Sequence, residues 1–109
     1  MISIRRNKYR NTPTEVDGHR FASKLEAKRY GELKLLQKAG QISNLELQPR
    51  HPLSVNDCLI CTFVADFEYL EHGKRVAEDA KGVRTDVFRI KANLFRALYP
   101  KIELREIHK

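Results

Sequence analysis

Ala65-Asp66-Phe67-Glu68-Tyr69-Leu70-Glu71-His72-Gly73-Lys74-Arg75-Val76-Ala77-Glu78-Asp79-Ala80-Lys81 reads as two strands folded back on each other around His72-Gly73. With those two residues as the loop of a hairpin, Glu71 pairs with Lys74 and, counting back along both strands, Asp66 stands opposite Asp79 on the same face. Their backbones are then about 5 Å apart. Side chains two apart share a face, so Lys81 projects beside Asp79 while Glu78 points to the other side. A three-residue loop would shift the register and set Asp66 against Glu78 or Ala80.

The flanking segments read as an α/β fold. Thr14 to Phe21 carries Asp17-Gly18, a hairpin signal. Ser23-Lys24-Leu25-Glu26 fits a helix capping box, and the Leu-, Ala- and Lys-rich run after it extends through Lys38 and stops at Gly40. At 100° per residue, Leu25, Tyr30, Leu33 and Leu36 share an apolar arc that Leu35 and Ala39 extend, and Glu26 falls inside it between Leu33 and Tyr30. Ile42 to Leu53 and Leu59 to Leu70 read as two antiparallel strands around a turn at Val55-Asn56-Asp57, with an interruption at Pro49. Arg75 to Gly82 follows as a third strand. Thr85-Asp86 caps a second helix running to about Leu98 before Pro100, and Lys101 to Ile107 closes the chain as a short strand. The expected order is α-β-β-β-α-β after a small hairpin, one domain with a mixed sheet. Residues 1–11 form a basic lead-in.

The chain has 109 residues, with 21 Lys and Arg against 14 Asp and Glu, a formal net charge of +7. That size suits one domain, and the charge favours a polyanionic partner. No apolar run approaches the ~20 residues needed to span a bilayer, and the segment after Ile4 is basic where a secretory signal would be apolar. The expected location is the cytoplasm. Cys58 and Cys61 form a lone C-x-x-C without further zinc ligands, and read as half-buried strand thiols. His19, His51, His72 and His108 lack metal-ligand spacing and read as surface or turn residues.

Two carboxylates on one patch of sheet resist joint ionisation unless a cation lies between them. Oxygen donors of this kind suit Mg2+ or Mn2+. Such an ion polarises a phosphate and activates water, with Lys81 orienting that water or neutralising developing charge, which is phosphodiester hydrolysis. A cross-strand salt-bridge ladder on a solvated face is the competing account. Against it, Asp66 is set between Phe63-Val64-Ala65 and Phe67, and Asp79 between Val76-Ala77 and Ala80, surroundings a surface ladder does not require.

With Phe21-Ala22-Ser23-Lys24-Leu25-Glu26-Ala27, Leu47-Gln48-Pro49, Ala65-Asp66-Phe67 and Asp79-Ala80-Lys81-Gly82 in this order and spacing, the chain resembles the PD-(D/E)XK nuclease superfamily, in particular its small phage-associated members, over about residues 8 to 104. The resemblance implies a restriction-endonuclease-like core, with Asp66 and Asp79 as metal ligands, Lys81 as the catalytic lysine and Glu26 as an added metal or water ligand. Many members carry Glu where this chain has Asp79. Glu26 also has a purely structural account as the capping-box residue.

Other residues carry weaker expectations. Lys91 shares a helix stripe with Val87, Phe88, Phe95 and Leu98, either reaching a phosphate near the site or passing its apolar neighbours to solvent. Arg89 and Arg96 share another face that can touch DNA backbone. Gln48 can hydrogen-bond a water of the site. Arg5, Arg6, Lys8 and Arg10 form either a DNA-embracing arm or a solvated tail. The expected activity is a metal-dependent DNA endonuclease, with branched intermediates among its substrates, since the resemblance extends to proteins that resolve Holliday junctions. A homodimer is the natural assembly for cutting two strands symmetrically. A DNA-binding protein that keeps the fold without cutting, and an adaptor for an acidic protein, are the competing classes.

Overall fold

Three tight turns organise the strands. Asp17-Gly18, Asn56-Asp57 and His72-Gly73 each place two successive residues at positive φ (53° and 77°, 51° and 64°, 51° and 81°), the mirror-image turn whose twist matches antiparallel strands. The computed structural model describes residues 14–80 and 84–107. Within them the order is β1 (Thr14–Val16), β2 (His19–Phe21), α1 (Lys24–Lys38), β3 (Ser43–Leu47), β4 (Arg50–Val55), β5 (Cys58–Val64), β6 (Phe67–Glu71), β7 (Lys74–Ala80), α2 (Asp86–Leu98) and β8 (Ile102–Ile107). Both helices start where their caps predict. The Ser23 hydroxyl accepts from the Glu26 amide at 3.2 Å, and the Thr85 hydroxyl accepts from Phe88 at 3.1 Å.

The architecture is α/β with a mixed sheet. β3, β6, β7 and β8 form four strands in that order, antiparallel except for the parallel pair β7–β8 reached through α2. β1–β2 and β4–β5 are separate two-stranded ribbons. Here the sequence expectation is corrected, because five strands lie between the helices where three were predicted. Each of the two long strands is broken in the middle. Gln48 adopts a φ of 50°, and Pro49 has no amide to continue a ladder. The Gln48 amide donates to the Asp66 carbonyl at 2.9 Å and the Ala65 amide to Pro49 at 3.3 Å, which ties the two breaks together.

These breaks divide the apolar residues into two clusters. Phe21, Ala27, Tyr30, Leu33, Ile42, Phe67, Tyr69 and Val76 pack between α1 and the sheet. Leu53, Phe63, Ala65, Ala77, Phe88, Ala92 and Phe95 pack around α2, with Ile102 and Leu104 of β8 beside them. Val76 and Ala77 are consecutive on β7 and point to opposite faces, so the two helices cover opposite sides of the sheet.

The helical stripes are narrower than predicted. Leu35 is 69% exposed and Ala39 is the exposed C-cap; a residue next to Leu36 is turned about 100° from it, off the contact face. Val87 is likewise 66% exposed beside buried Phe88. His51 is not a surface residue. Its ring packs against Phe95 and Tyr99, and Nε2 lies 2.6 Å from Glu68. Cys58 is exposed and Cys61 half-buried, both as free thiols. No helix among the described residues is long and apolar enough to cross a membrane.

Candidate functional site

The regular pairing of β6 with β7 has the predicted register, from Glu71 with Lys74 to Phe67 with Glu78. Asp66 lies one step beyond that last pair. Its amide donates to the Glu78 carbonyl at 2.9 Å, not to Asp79, so the two aspartates are not the directly opposed ladder pair that the sequence suggested. The side chain spans the gap instead. Asp66 Oδ2 accepts from the Ala80 amide at 2.6 Å, and the carboxyl also hydrogen-bonds Glu26 on α1.

Glu26 serves two purposes. Its amide closes the cap on Ser23, and its Oε1 accepts from the Ala22 amide at 3.2 Å, while its side chain is buried and faces Asp66. The cap and the approach to Asp66 are compatible because the first turn of α1 lies beside the start of β6. The three acids come from three elements, α1, the residue leading into β6, and the end of β7.

Asp79 is buried at 1% exposure. Asp66 is pushed up to about 9 from an ordinary value of 3.8, first by burial, then by the hydrogen bond to Glu26 and the nearby charges of Asp79 and Glu26, with the Ala80 amide opposing. The carboxyl therefore holds a proton at neutral pH where a cation would otherwise be needed. Carboxylate oxygens are the donors a hard divalent ion takes. Among the described residues, however, no three such side chains are gathered at metal-holding distance.

A cleft of about 260 Å³ opens at Glu26 and Asp66. Its other walls are hairpin residues 18–21 and Leu47-Gln48. Gln48, expected near the acids, is there, in the left-handed conformation that breaks β3 from β4. His19 and Arg20 were not singled out from the sequence. The signal for them was the short hairpin running straight into the capping box, which brings its second strand beside Glu26.

The remaining expectations divide. Lys91 is half-buried on α2. Arg89 is exposed, 4.0 Å from Asp86, and Arg96 donates to Glu106 at 2.9 Å, so its guanidinium already faces an acid. Lys81, Arg5, Arg6, Lys8 and Arg10 lie outside the described residues.

On the opposite face from Asp79, Glu78 is fully buried and accepts from Arg29 Nε at 2.8 Å and Nη2 at 2.7 Å, and from the Tyr69 hydroxyl. Arg29 is raised chiefly by its hydrogen bond to Glu78, while burial and the same carboxylate raise the Tyr69 phenol. Sequence reasoning gave Glu78 no partner, because Arg29 lies 49 positions away.

Residues 6–109 match the family described as "Protein of unknown function (DUF1064)". The chain belongs to that family. No curated protein matched it.

Proposed function

We propose that this protein is a metal-dependent endonuclease that hydrolyses DNA phosphodiester bonds on a restriction-endonuclease-like core of PD-(D/E)XK type. The observation that carries this reading is that Glu26 and Asp79, from two other elements, both bear on the Asp66 carboxyl, with Glu26 and Asp66 in the wall of a cleft. A structural ion pair would bring acids together with bases, as Glu78 and Arg29 do. Around Asp66, by contrast, two further acids bear on one carboxyl, a cost that a bound cation offsets.

Magnesium or manganese would suit these donors, with Glu26, Asp66 and Asp79 drawn together as its ligands, and would supply electrophilic activation of the phosphate and of attacking water. The chain's own residues do the rest. Burial of Asp79 and partial burial of Asp66 fix the carboxylates and limit their contact with bulk water, which strengthens their hold on a cation. Lys81, two positions after Asp79, orients the attacking water and offsets charge on the phosphate. Gln48, lining the same cleft, hydrogen-bonds that water or a phosphate oxygen. In the reaction an oxygen–phosphorus bond forms from water, one deoxyribose oxygen departs from phosphorus, and the water proton ends on that oxygen. The excess of basic residues favours DNA as the polyanion, and a homodimer would place two such sites for cuts in both strands of a branched substrate.

The test is cleavage of linear duplex, single-stranded and four-way-junction DNA with magnesium, manganese or EDTA. Cutting is expected with either metal and not with EDTA, and is expected to disappear in Asp66→Ala, Asp79→Ala and Lys81→Ala. Metal-independent cutting, or full activity in all three variants, overturns the reading. Binding without cutting under every condition would instead identify a non-catalytic DNA-binding protein.

A further inference from the structure

We infer that Arg20 is a substrate-positioning residue, holding a backbone phosphate of the DNA strand whose neighbouring phosphate reaches Glu26 and Asp66. The inference rests on the nuclease reading above and adds to it the first hairpin as the element that seats the strand.

The arginines of this protein are mostly committed. Of the eight among the described residues, Arg29, Arg75, Arg84, Arg89, Arg96 and Arg105 each lie within 4.0 Å of a carboxylate. Arg20 and Arg50 make no such contact among the described residues, and of these two Arg20 lines the cleft that contains the acids. Glu15 is its cross-strand partner on β1, yet the pair closes no ion pair among the described residues. An exposed guanidinium left open beside an acidic cleft fits an anion that must approach those acids, because its charge offsets the repulsion between phosphate and carboxylate. Its planar fork matches two phosphate oxygens at once.

The hairpin that carries Arg20 is held firmly, as a positioning element must be. Phe21 is buried beneath it, and the rings of His19, Phe21 and Tyr30 meet at centroid distances of 5.0 to 6.4 Å. The Tyr30 hydroxyl donates to Asp17 at 3.2 Å, fixing the turn to α1. The cleft also bounds the ligand. At about 260 Å³ it is below the ~300 Å³ at which pockets for drug-sized ligands begin, so only a short stretch of one strand's backbone enters it.

The experiment measures binding of end-labelled DNA to the full chain by fluorescence anisotropy, in EDTA, across a series of sodium chloride concentrations. The proteins compared are wild type, Arg20→Ala, Arg20→Lys and Glu15→Ala, each with its thermal melt. Arg20→Ala is expected to weaken binding about tenfold and to reduce the slope of log K against log salt by about one phosphate contact. Arg20→Lys is expected to restore the slope. Unchanged melting temperatures for both Arg20 variants separate this from a structural role. An unchanged slope in Arg20→Ala overturns the inference, as does an equal loss of binding in Glu15→Ala, which would make the residue part of a hairpin ion pair. Wild type that cuts DNA alongside an unchanged Arg20→Ala slope sinks the inference alone. Wild type that binds without cutting sinks the nuclease reading and leaves the slope to decide Arg20. No binding by wild type overturns both.

Discussion

Glu78 and Asp79 are chain neighbours on one strand, both almost completely buried, and they face opposite sides of the sheet. Glu78 looks towards α1, where Arg29 grips it with two hydrogen bonds and Tyr69 adds a third. Asp79 instead adds its negative charge to that felt by Asp66, whose carboxyl is pushed up to about 9 first by burial, then by the hydrogen bond to Glu26 and by this charge. Burial alone therefore does not mark a functional acid. Among the described residues the two sides differ in what bears on their acids, a base matched to Glu78 on one and the acids Glu26 and Asp79 bearing on Asp66 on the other. The first arrangement holds the fold together; the second suits a ligand.

The sharpest way to break that contrast is to remove one acid from each side. Asp66→Ala and Asp79→Ala are expected to lower DNA cleavage about 10³-fold, comparable to losing a main source of transition-state charge stabilisation, while retaining the circular dichroism of the wild type. Arg29→Ala is expected to act on the fold instead. It strands a fully buried carboxylate, costing about 3 kcal/mol in urea unfolding. Should Arg29→Ala fold as stably as wild type yet lose cleavage, the division between the two sides is wrong.

A pH series sharpens the same comparison. The Asp66 value is raised on folding, so its favourable contribution is complete below about 3.8, where the unfolded chain is also protonated, and is lost as pH rises through about 9. In EDTA, wild-type stability is expected to decline over that window relative to Asp66→Asn, whose amide does not titrate. Parallel melting curves for the two proteins from pH 5 to 9 would remove the charge conflict on which the contrast rests. The smallest effect belongs to the cap. Ser23→Ala is expected to cost about 1 kcal/mol of stability with cleavage retained, whereas Glu26→Ala is expected to lose cleavage as well; equal behaviour of the two would reduce Glu26 to its capping role.

Much of this frame was visible in the chain itself because its signals are local. Asp17-Gly18 and His72-Gly73 announce their turns, Ser23 and Thr85 their caps, and the His72-Gly73 turn sets the pairing that brings Asp66 near Asp79. The misreadings concern what local signals cannot carry. Nothing about glutamine favours a φ of 50°, so the break at Gln48 depends on the amide and carbonyl partners it finds across the bend. Leu35 and Val87 are apolar residues that the helix axis happens to turn away from the sheet. The partners of Glu78 and His51 come from distant segments, and Arg20 gains its place in the cleft only when the hairpin docks on Tyr30.

The consecutive residues Val76 and Ala77, each locked into a different apolar cluster, are expected to make β7 the slowest of the described strands to exchange its amide hydrogens. It is paired on both sides, so releasing it requires both clusters to come apart. The β4–β5 ribbon is held by one cluster alone, through Leu53 and Phe63: among the described strands its two pair only with each other, and Leu59 and Ile60 near its tip remain exposed. Deuterium should therefore enter that ribbon through local opening while β7 reports the unfolding of the whole chain. Asp79, which lies on β7, would stay in place through the smaller motions around it.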